Sequence, residues 1–272
     1  MASPESGTPD LASARSAALP VLLIPGGAAS STGYYPGLSE VLGARPVVQI
    51  DRPGTGEAFD AGHASLAGGA AAWAAAVRRV SDGPAVVVGQ SLGAAVAVQL
   101  ATDSPELVAG LLLLDPTPFN DARALAATVR GVQLLAAPGR LPIVGRRWQA
   151  AVWALAARER RHLTPPARVA LDNMLRSATL TQTAAAVRTL KDDGAALTTR
   201  LQRLEAPVMI VTADRRSDSR VRSAHQRLAR RLGGDITSWK GCVHAAHLRN
   251  PERVATLLEQ LLTRAEATPR PS

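Results

Sequence analysis

The sequence predicts an α/β fold, with a mainly parallel sheet of about six strands, helices on both faces and an inserted helical lid. Short apolar runs of strand length recur along the 272 residues, and helical patterns separate most of them. Strands that alternate with helices are typical of a parallel sheet covered on both faces. One long stretch without a strand, residues 119–205, interrupts this alternation and predicts the lid.

The elements follow one another in a regular order. Six apolar runs are expected to form strands: Val21–Ile24, Pro46–Ile50, Ala85–Val88, Leu111–Leu114, Val208–Thr212 and Asp235–Trp239. The core helices are predicted at Leu66–Val80, Leu92–Thr102, Val221–Leu232 and Pro251–Arg264. Further helices are predicted in the lid at Ala124–Leu135, Arg146–Arg161, Pro166–Ser177 and Leu180–Leu190. We therefore expect a flexible tail over 1–19, a core formed by 20–118 and 206–266, and a lid over 119–205.

Composition favours an enzyme of the cytoplasm. No apolar run reaches the length that spans a bilayer, and the first residues lack the basic-then-apolar layout of a signal peptide. The single cysteine, Cys242, excludes an intrachain disulfide. No Gly-rich loop has dinucleotide or phosphate-binding spacing, and the scattered histidines do not form a metal-ligand set. We therefore predict no cofactor and no metal.

The net charge of +9 is concentrated in the middle of the chain. Residues 119–206 carry 14 basic and 6 acidic side chains, a net of +8. A solvated helical surface explains such a charge, but an acidic partner is the sharper alternative, for example a carrier protein that bears the acyl substrate. Nucleic acid is disfavoured because aromatic residues make up only 3% of the chain. The sequence does not predict an oligomeric state.

A candidate nucleophile lies between the third predicted strand and the following helix. Gly89-Gln90-Ser91-Leu92-Gly93 has the G-x-S-x-G pattern of a sharp strand-to-helix turn, which exposes the serine hydroxyl at the helix N-terminus. A glycine-bounded turn with a capping serine would share the pattern. The strand before it and the helix after it favour the catalytic interpretation of Ser91.

A serine nucleophile needs a general base, and the position of His244 favours it over the other histidines. His244 lies in a loop between the last predicted strand and the final helix, where an imidazole can reach the carboxyl edge of the sheet. His247 is interpreted as a supporting or packing residue, and His225 is expected to be exposed on a helix. His63 and His162 are left as possible pocket residues.

By these motifs the chain resembles the α/β-hydrolase family from about Pro20 to Leu262. Pro25-Gly26-Gly27 resembles the family's oxyanion segment, with proline in place of the usual histidine. Asp51-Arg52-Pro53-Gly54-Thr55-Gly56 resembles its D-x-P-G-x-G turn. His244, with Pro251 seven residues later, resembles its terminal histidine motif. Family members commonly begin with a hairpin, which we expect to be reduced here.

The resemblance implies a role for each candidate residue. Ser91 would be the nucleophile, His244 the base, and the N–H groups of Gly27 and Leu92 the oxyanion hole. The family usually places the acid after the strand that follows the lid, where Asp214 and Asp218 are available. Some members place it after the preceding core strand, which favours Asp115, directly after Leu111–Leu114.

These residues predict a serine hydrolase that cleaves a small-molecule carboxylic ester, thioester or lactone. An alternative keeps the fold and the Ser–His pair but performs elimination, cyclisation or acyl transfer in secondary metabolism. A ligand receptor on the same fold is a third interpretation, which the presence of both Ser91 and His244 disfavours. The fold leaves the substrate open because specificity belongs to the lid and the pocket.

Overall fold

The core is a six-stranded, all-parallel sheet in the order β2-β1-β3-β4-β5-β6. The computed structural model describes residues 18–56, 58, 65–141, 144–214 and 219–268. The strands are β1 (Val21–Ile24), β2 (Val47–Val48), β3 (Ala85–Gln90), β4 (Val108–Leu114), β5 (Val208–Asp214) and β6 (Asp235–Lys240). The predicted α/β class is confirmed, although edge strand β2 is shorter than Pro46–Ile50 because it pairs only with Val21 and Leu22.

Helices cover both faces of this sheet. Those of the core are α1 (Ser39–Leu42), α2 (Leu66–Val80), α3 (Leu92–Asp103), α9 (Ser219–Leu232), α10 (Ala246–Arg249) and α11 (Pro251–Ala267). Apolar side chains of α2, α3 and α9 pack on one face, and those of α11 on the other. Successive residues of β3 alternate between the two layers, with Val87 in the first and Val86 and Val88 in the second. The central strands are therefore buried on both faces, as their continuous apolar runs predict.

A helical insertion separates β4 from β5. Its helices are α4 (Ala122–Ala136), α5 (Val144–Ala157), α6 (Pro165–Ser177), α7 (Leu180–Ala186) and α8 (Leu190–Arg200). The helix predicted over Leu180–Leu190 is confirmed from Leu180 to Ala186 but ends earlier than expected, because the chain turns after Ala186 and α8 begins at Leu190. Leu190 and Leu197 of α8 join the core layer of α2 and α3. The end of the insertion thus packs on the core, and Leu125 of α4 and Ala186 of α7 join the same layer.

Most of the predicted tail, residues 1–17, lies outside the described residues, and Leu19 is buried against the sheet. Within the described part of the chain, the sheet begins at β1. No helix in that part is long and apolar enough to cross a bilayer.

In open parallel sheets the ligand sites lie outside the carboxyl ends of the strands. This is the edge at which the loops after β1, β3, β4 and β6 meet.

Candidate active site

Ser91 occupies the sharp turn between β3 and α3. Its backbone has φ 54° and ψ −116°, a conformation that is strained for any residue with a side chain. Glycines on both sides permit the turn. A Cβ on Gly89 would lie 2.6 Å from the Gly93 carbonyl oxygen, and a Cβ on Gly93 would lie 2.4 Å from the Ile24 carbonyl oxygen. The G-x-S-x-G pattern is therefore required by close backbone packing.

Asp115 follows β4 directly and lies beside the Ser91 turn. Among the described non-glycine residues, Asp115 and Ser91 are the two with positive φ, and the φ of Asp115 is 45°. Main-chain hydrogen bonds join the two turns: the Ser91 N–H donates to the Leu114 carbonyl at 3.0 Å, and the Thr117 N–H donates to the Ser91 carbonyl at 3.1 Å. Strain of this kind clusters at functional sites, which makes this pair of turns the candidate site.

His244 connects the two strained residues. It lies in the loop between β6 and α10, with its side chain 47% exposed. Its Nε2 lies 2.8 Å from Ser91 Oγ, and its Nδ1 lies 2.6 Å from Asp115 Oδ2. Both distances are those of hydrogen bonds. Ser91, His244 and Asp115 therefore form one continuous hydrogen-bonded chain.

The Asp115 carboxylate is buried and fixed at both oxygens. Oδ1 accepts a hydrogen bond from the Ala213 N–H at 2.9 Å, and the side chain is only 2% exposed. Burial by itself would raise the pKa of Asp115. The hydrogen bond from His244, the His244 and His225 imidazoles and the Ala213 N–H outweigh burial and hold this pKa below its usual value. An ionised carboxylate only accepts hydrogen bonds, so the hydrogen of the short contact is on His244 Nδ1.

Among the described residues, none of the other candidate acids or histidines joins the hydrogen-bonded series of Ser91, His244 and Asp115. Asp218 lies outside the described residues, and for Asp214 the description covers only the backbone at the end of β5. His63 also lies outside them. His162 is exposed, and its Nε2 accepts a hydrogen bond from Arg161 at 2.9 Å.

His225 corrects a sequence expectation, because it is fully buried instead of exposed. Its Nε2 donates to the Pro116 carbonyl at 2.7 Å, and its Nδ1 lies 2.9 Å from the Thr212 hydroxyl oxygen. His225 therefore holds the loop that follows Asp115. The signal was present in the sequence, since His225 shares a helical face with Leu228 and Leu232, which are also buried.

Gln90 ties the serine turn to the histidine loop. Its carboxamide is buried, and Oε1 accepts from the Tyr34 hydroxyl at 2.8 Å while Nε2 donates to the His244 carbonyl at 3.1 Å. The Tyr34 hydrogen bond thus orients the amide so that its N–H₂ faces the loop. Gln90 could not be predicted as functional from the sequence, because the variable position before the serine carries no signal in the pattern.

His247 packs behind this network, as the sequence analysis expects of a supporting residue. It is 1% exposed, and its ring stacks on Tyr34 with 4.8 Å between centroids. Both ring nitrogens lack a hydrogen-bond partner among the described residues. Burial, with a smaller effect of the neighbouring His244, lowers the pKa of His247 to about 3. The ring is therefore neutral at pH 7.

Gly27 and Leu92 line the same cavity as Ser91. Leu92 is the first residue of α3, so its N–H is one of the helix N–H groups without an intrahelical acceptor. Gly27 has φ 56°, and its carbonyl accepts a hydrogen bond from the buried guanidinium of Arg52. Burial lowers the pKa of Arg52 to about 10, against opposing effects of Tyr34 and Asp51. Arg52 thus holds the Gly27 loop in place through this hydrogen bond.

A cavity of about 740 Å³ lies between the carboxyl edge of the sheet and the insertion. The Ser91, His244 and Asp115 side chains border its floor, and its walls include Val132, Trp153, Met174, Leu175, Val187 and Val221. The cavity is large enough for a small organic molecule and mostly apolar. In the described part of the chain, no group of three or more His, Cys, Asp or Glu residues could hold a metal ion.

The chain matches the model of the alpha/beta hydrolase family over residues 21–257. No curated protein matches it. Many solved structures do. MenH from S. aureus is 15% identical, with 91% of this chain and 94% of that chain covered and a TM-score of 0.71.

Two further solved structures have different named activities. An esterase from Thermogutta terrifontis is 22% identical, with 91% of this chain and 90% of that chain covered and a TM-score of 0.63. A variant of AqdC, studied for ring cleavage of the Pseudomonas quinolone signal, is 18% identical, with 91% and 92% covered and a TM-score of 0.65. At these identities the likeness establishes the fold and leaves the reaction open.

Proposed function

The chain belongs to the alpha/beta hydrolase family, and on that premise we propose that it is a serine hydrolase that cleaves a carboxylic ester, thioester or lactone. The observation that carries this proposal is the continuous chain from Ser91 Oγ through His244 to Asp115, with distances of 2.8 and 2.6 Å. This is the geometry that serine nucleophiles use on several unrelated folds.

In the acylation step, Ser91 Oγ attacks the carbonyl carbon of the substrate while His244 Nε2 takes the hydroxyl proton. The carbonyl π electrons move to oxygen and form a tetrahedral oxyanion. When this intermediate collapses, the bond to the leaving oxygen or sulfur breaks, and His244 returns the proton to that atom. Asp115 stays ionised and stabilises the imidazolium without taking the proton.

In the deacylation step, a water molecule attacks the acyl carbon and His244 takes its proton. The second tetrahedral intermediate expels Ser91 Oγ, which regains a proton from His244, and the carboxylic acid leaves. We assign the N–H groups of Gly27 and Leu92 to the oxyanion in both steps. Loss of one such donor typically costs about 3–4 kcal/mol of transition-state stabilisation.

We assign a lid role to the insertion, chiefly to α4–α7, which contribute Val132, Trp153, Leu175 and other walls of the cavity. The apolar walls favour a small substrate with an apolar acyl or alcohol part. The +8 net charge of residues 119–206 supports delivery of that substrate by an acidic partner such as an acyl carrier protein.

A fluorophosphonate probe tests the nucleophile. The wild-type protein should form a covalent adduct, and Ser91→Ala should form none. Ser104→Ala, at the opposite end of α3, is the matched control and should react like the wild type. Undiminished labelling of Ser91→Ala would contradict the acyl-enzyme.

Turnover in ¹⁸O-labelled water then distinguishes hydrolysis from the alternative reactions. We expect one heavy oxygen in the acid product, because water supplies the attacking oxygen in deacylation. An unlabelled eliminated, cyclised or transferred product would show that the same residues perform non-hydrolytic chemistry.

A further inference from the structure

Thr117 brings a second hydroxyl to the candidate nucleophile. Its Oγ1 lies 3.3 Å from Ser91 Oγ, and the residue is 5% exposed and borders the cavity. Its position is fixed by its own backbone, since its N–H donates to the Ser91 carbonyl at 3.1 Å and its carbonyl accepts from the Phe119 N–H at 2.7 Å. These main-chain hydrogen bonds hold the Thr117 backbone beside the Ser91 turn.

The direction of this hydrogen bond follows from the neighbouring contacts. The ionised Asp115 accepts the hydrogen on His244 Nδ1, and the general-base role proposed for His244 requires its Nε2 to be an acceptor. The Ser91 hydroxyl must therefore donate its single hydrogen to His244 Nε2. Only lone pairs of Ser91 Oγ are left for the other contact, and the Thr117 hydroxyl is the donor.

We propose that Thr117 is a further catalytic residue, which donates a hydrogen bond to Ser91 Oγ when that oxygen carries negative charge. The proposal rests on the proposed function. Negative charge builds up on Oγ twice, when it loses its proton during attack and when it leaves the acyl carbon during deacylation. In the acyl-enzyme between these steps, Oγ is an ester oxygen and a weaker acceptor. The hydrogen bond thus favours both transition states over the intermediate.

Two substitutions separate the hydroxyl from the shape of the side chain. Thr117→Val replaces the hydroxyl with a methyl group of similar size, and Thr117→Ser keeps the hydroxyl. We expect Thr117→Val to lower kcat and the rate of fluorophosphonate labelling about five- to tenfold, the difference between a hydrogen bond to a charged oxygen and one to a neutral oxygen. KM should change less than twofold. Thr117→Ser should stay within about twofold of the wild type in both rates.

Thr102→Val is the matched control, because the Thr102 hydroxyl donates to the Val98 carbonyl at 2.8 Å within α3 and does not border the cavity. It should leave the labelling rate unchanged. If Thr117→Val does not fold, Thr117→Ala provides the same loss of the hydroxyl in a smaller side chain. Pre-steady-state kinetics should show both acylation and deacylation slowed in the variant that lacks the hydroxyl.

The outcomes separate the two proposals. Wild-type labelling at Ser91 with an unaffected Thr117→Val or Thr117→Ala variant would overturn the role of Thr117 and leave the serine hydrolase intact. An equal loss in Thr117→Ser and Thr117→Val would also overturn it, since it would show that shape and not the hydroxyl matters. A wild-type protein that is not labelled at Ser91 would remove both proposals together.

Discussion

Backbone strain, burial and hydrogen bonding are concentrated on the same few residues at the carboxyl edge of the sheet. The two described non-glycine residues with positive φ, Ser91 and Asp115, are joined by His244. Other buried polar groups support them: Gln90 holds the His244 loop and His225 holds the Pro116 carbonyl. Burying such a network costs folding energy unless each polar group in it has a hydrogen-bond partner. The concentration of strained and buried polar residues at this edge favours a functional origin for the network.

The buried His247 makes the stability of the protein depend on pH. Its pKa falls from 6.5 to about 3 on folding. Between these values the unfolded chain binds a proton that the folded protein does not, so the free energy of unfolding decreases as the pH falls. For one proton the slope is about 1.4 kcal/mol per pH unit. Urea unfolding of the wild type between pH 7 and pH 4 should show this loss.

His247→Phe keeps a ring against Tyr34 and removes the titrating group. The variant should lose less stability than the wild type over the same pH range, and its advantage should grow as the pH falls. His162→Phe removes an exposed imidazole instead and should follow the wild-type curve. Parallel curves for His247→Phe and the wild type would contradict a neutral, buried His247.

Single residues differ in how far the sequence predicts them. Ser91 and His244 were predicted because each lies within a pattern whose spacing is visible along the chain. Asp115 stayed one of three alternatives, because its contact with His244 spans 129 positions and depends on two loops meeting. His225 was missed because one polar residue on an apolar helical face is ordinarily assigned to solvent.

Helix and strand boundaries can be predicted where the sequence carries a clear local signal, such as a capping residue. The helix predicted over Leu66–Val80 is confirmed, and Ser65 caps it by accepting from the Gly68 N–H. The boundary after Ala186 was missed because alanine, valine and arginine continue a helical composition across the turn. The residues on both sides of the turn, Ala186 and Leu190, pack on the core.

Two glycines of the insertion have opposite roles and give a paired test. A Cβ on Gly145 would lie 2.5 Å from the Gly139 carbonyl oxygen, whereas a Cβ on Gly131 in α4 meets nothing within 4 Å. We expect Gly145→Ala to weaken the packing of the start of α5 against Gly139 and to destabilise the protein by about 1–3 kcal/mol. Gly131→Ala should stabilise α4 by up to about 1 kcal/mol. Denaturant unfolding measures both, and a stabilised Gly145→Ala variant would contradict the close packing of Gly145 against Gly139.

At the scale of the whole molecule, strand order creates the site. Because β4 lies between β3 and β5, the loops that carry Ser91 and Asp115 are neighbours, and the Ala213 N–H of β5 reaches the Asp115 carboxylate. The alternation of strands and helices predicts a parallel sheet but not this order. The cavity is likewise assembled from the sheet edge and a separate insertion, so its walls could not be predicted from the sequence.

We propose that Ser91 carries the acyl group and that the N–H groups of Gly27 and Leu92 hold its oxyanion. A crystal structure of the protein after reaction with a fluorophosphonate tests it most directly. We expect phosphorus bonded to Ser91 Oγ, the phosphonyl oxygen within hydrogen-bond distance of the N–H groups of Gly27 and Leu92, and His244 still bonded to Asp115. An adduct on another residue, or a phosphonyl oxygen pointing away from both N–H groups, would contradict the claim.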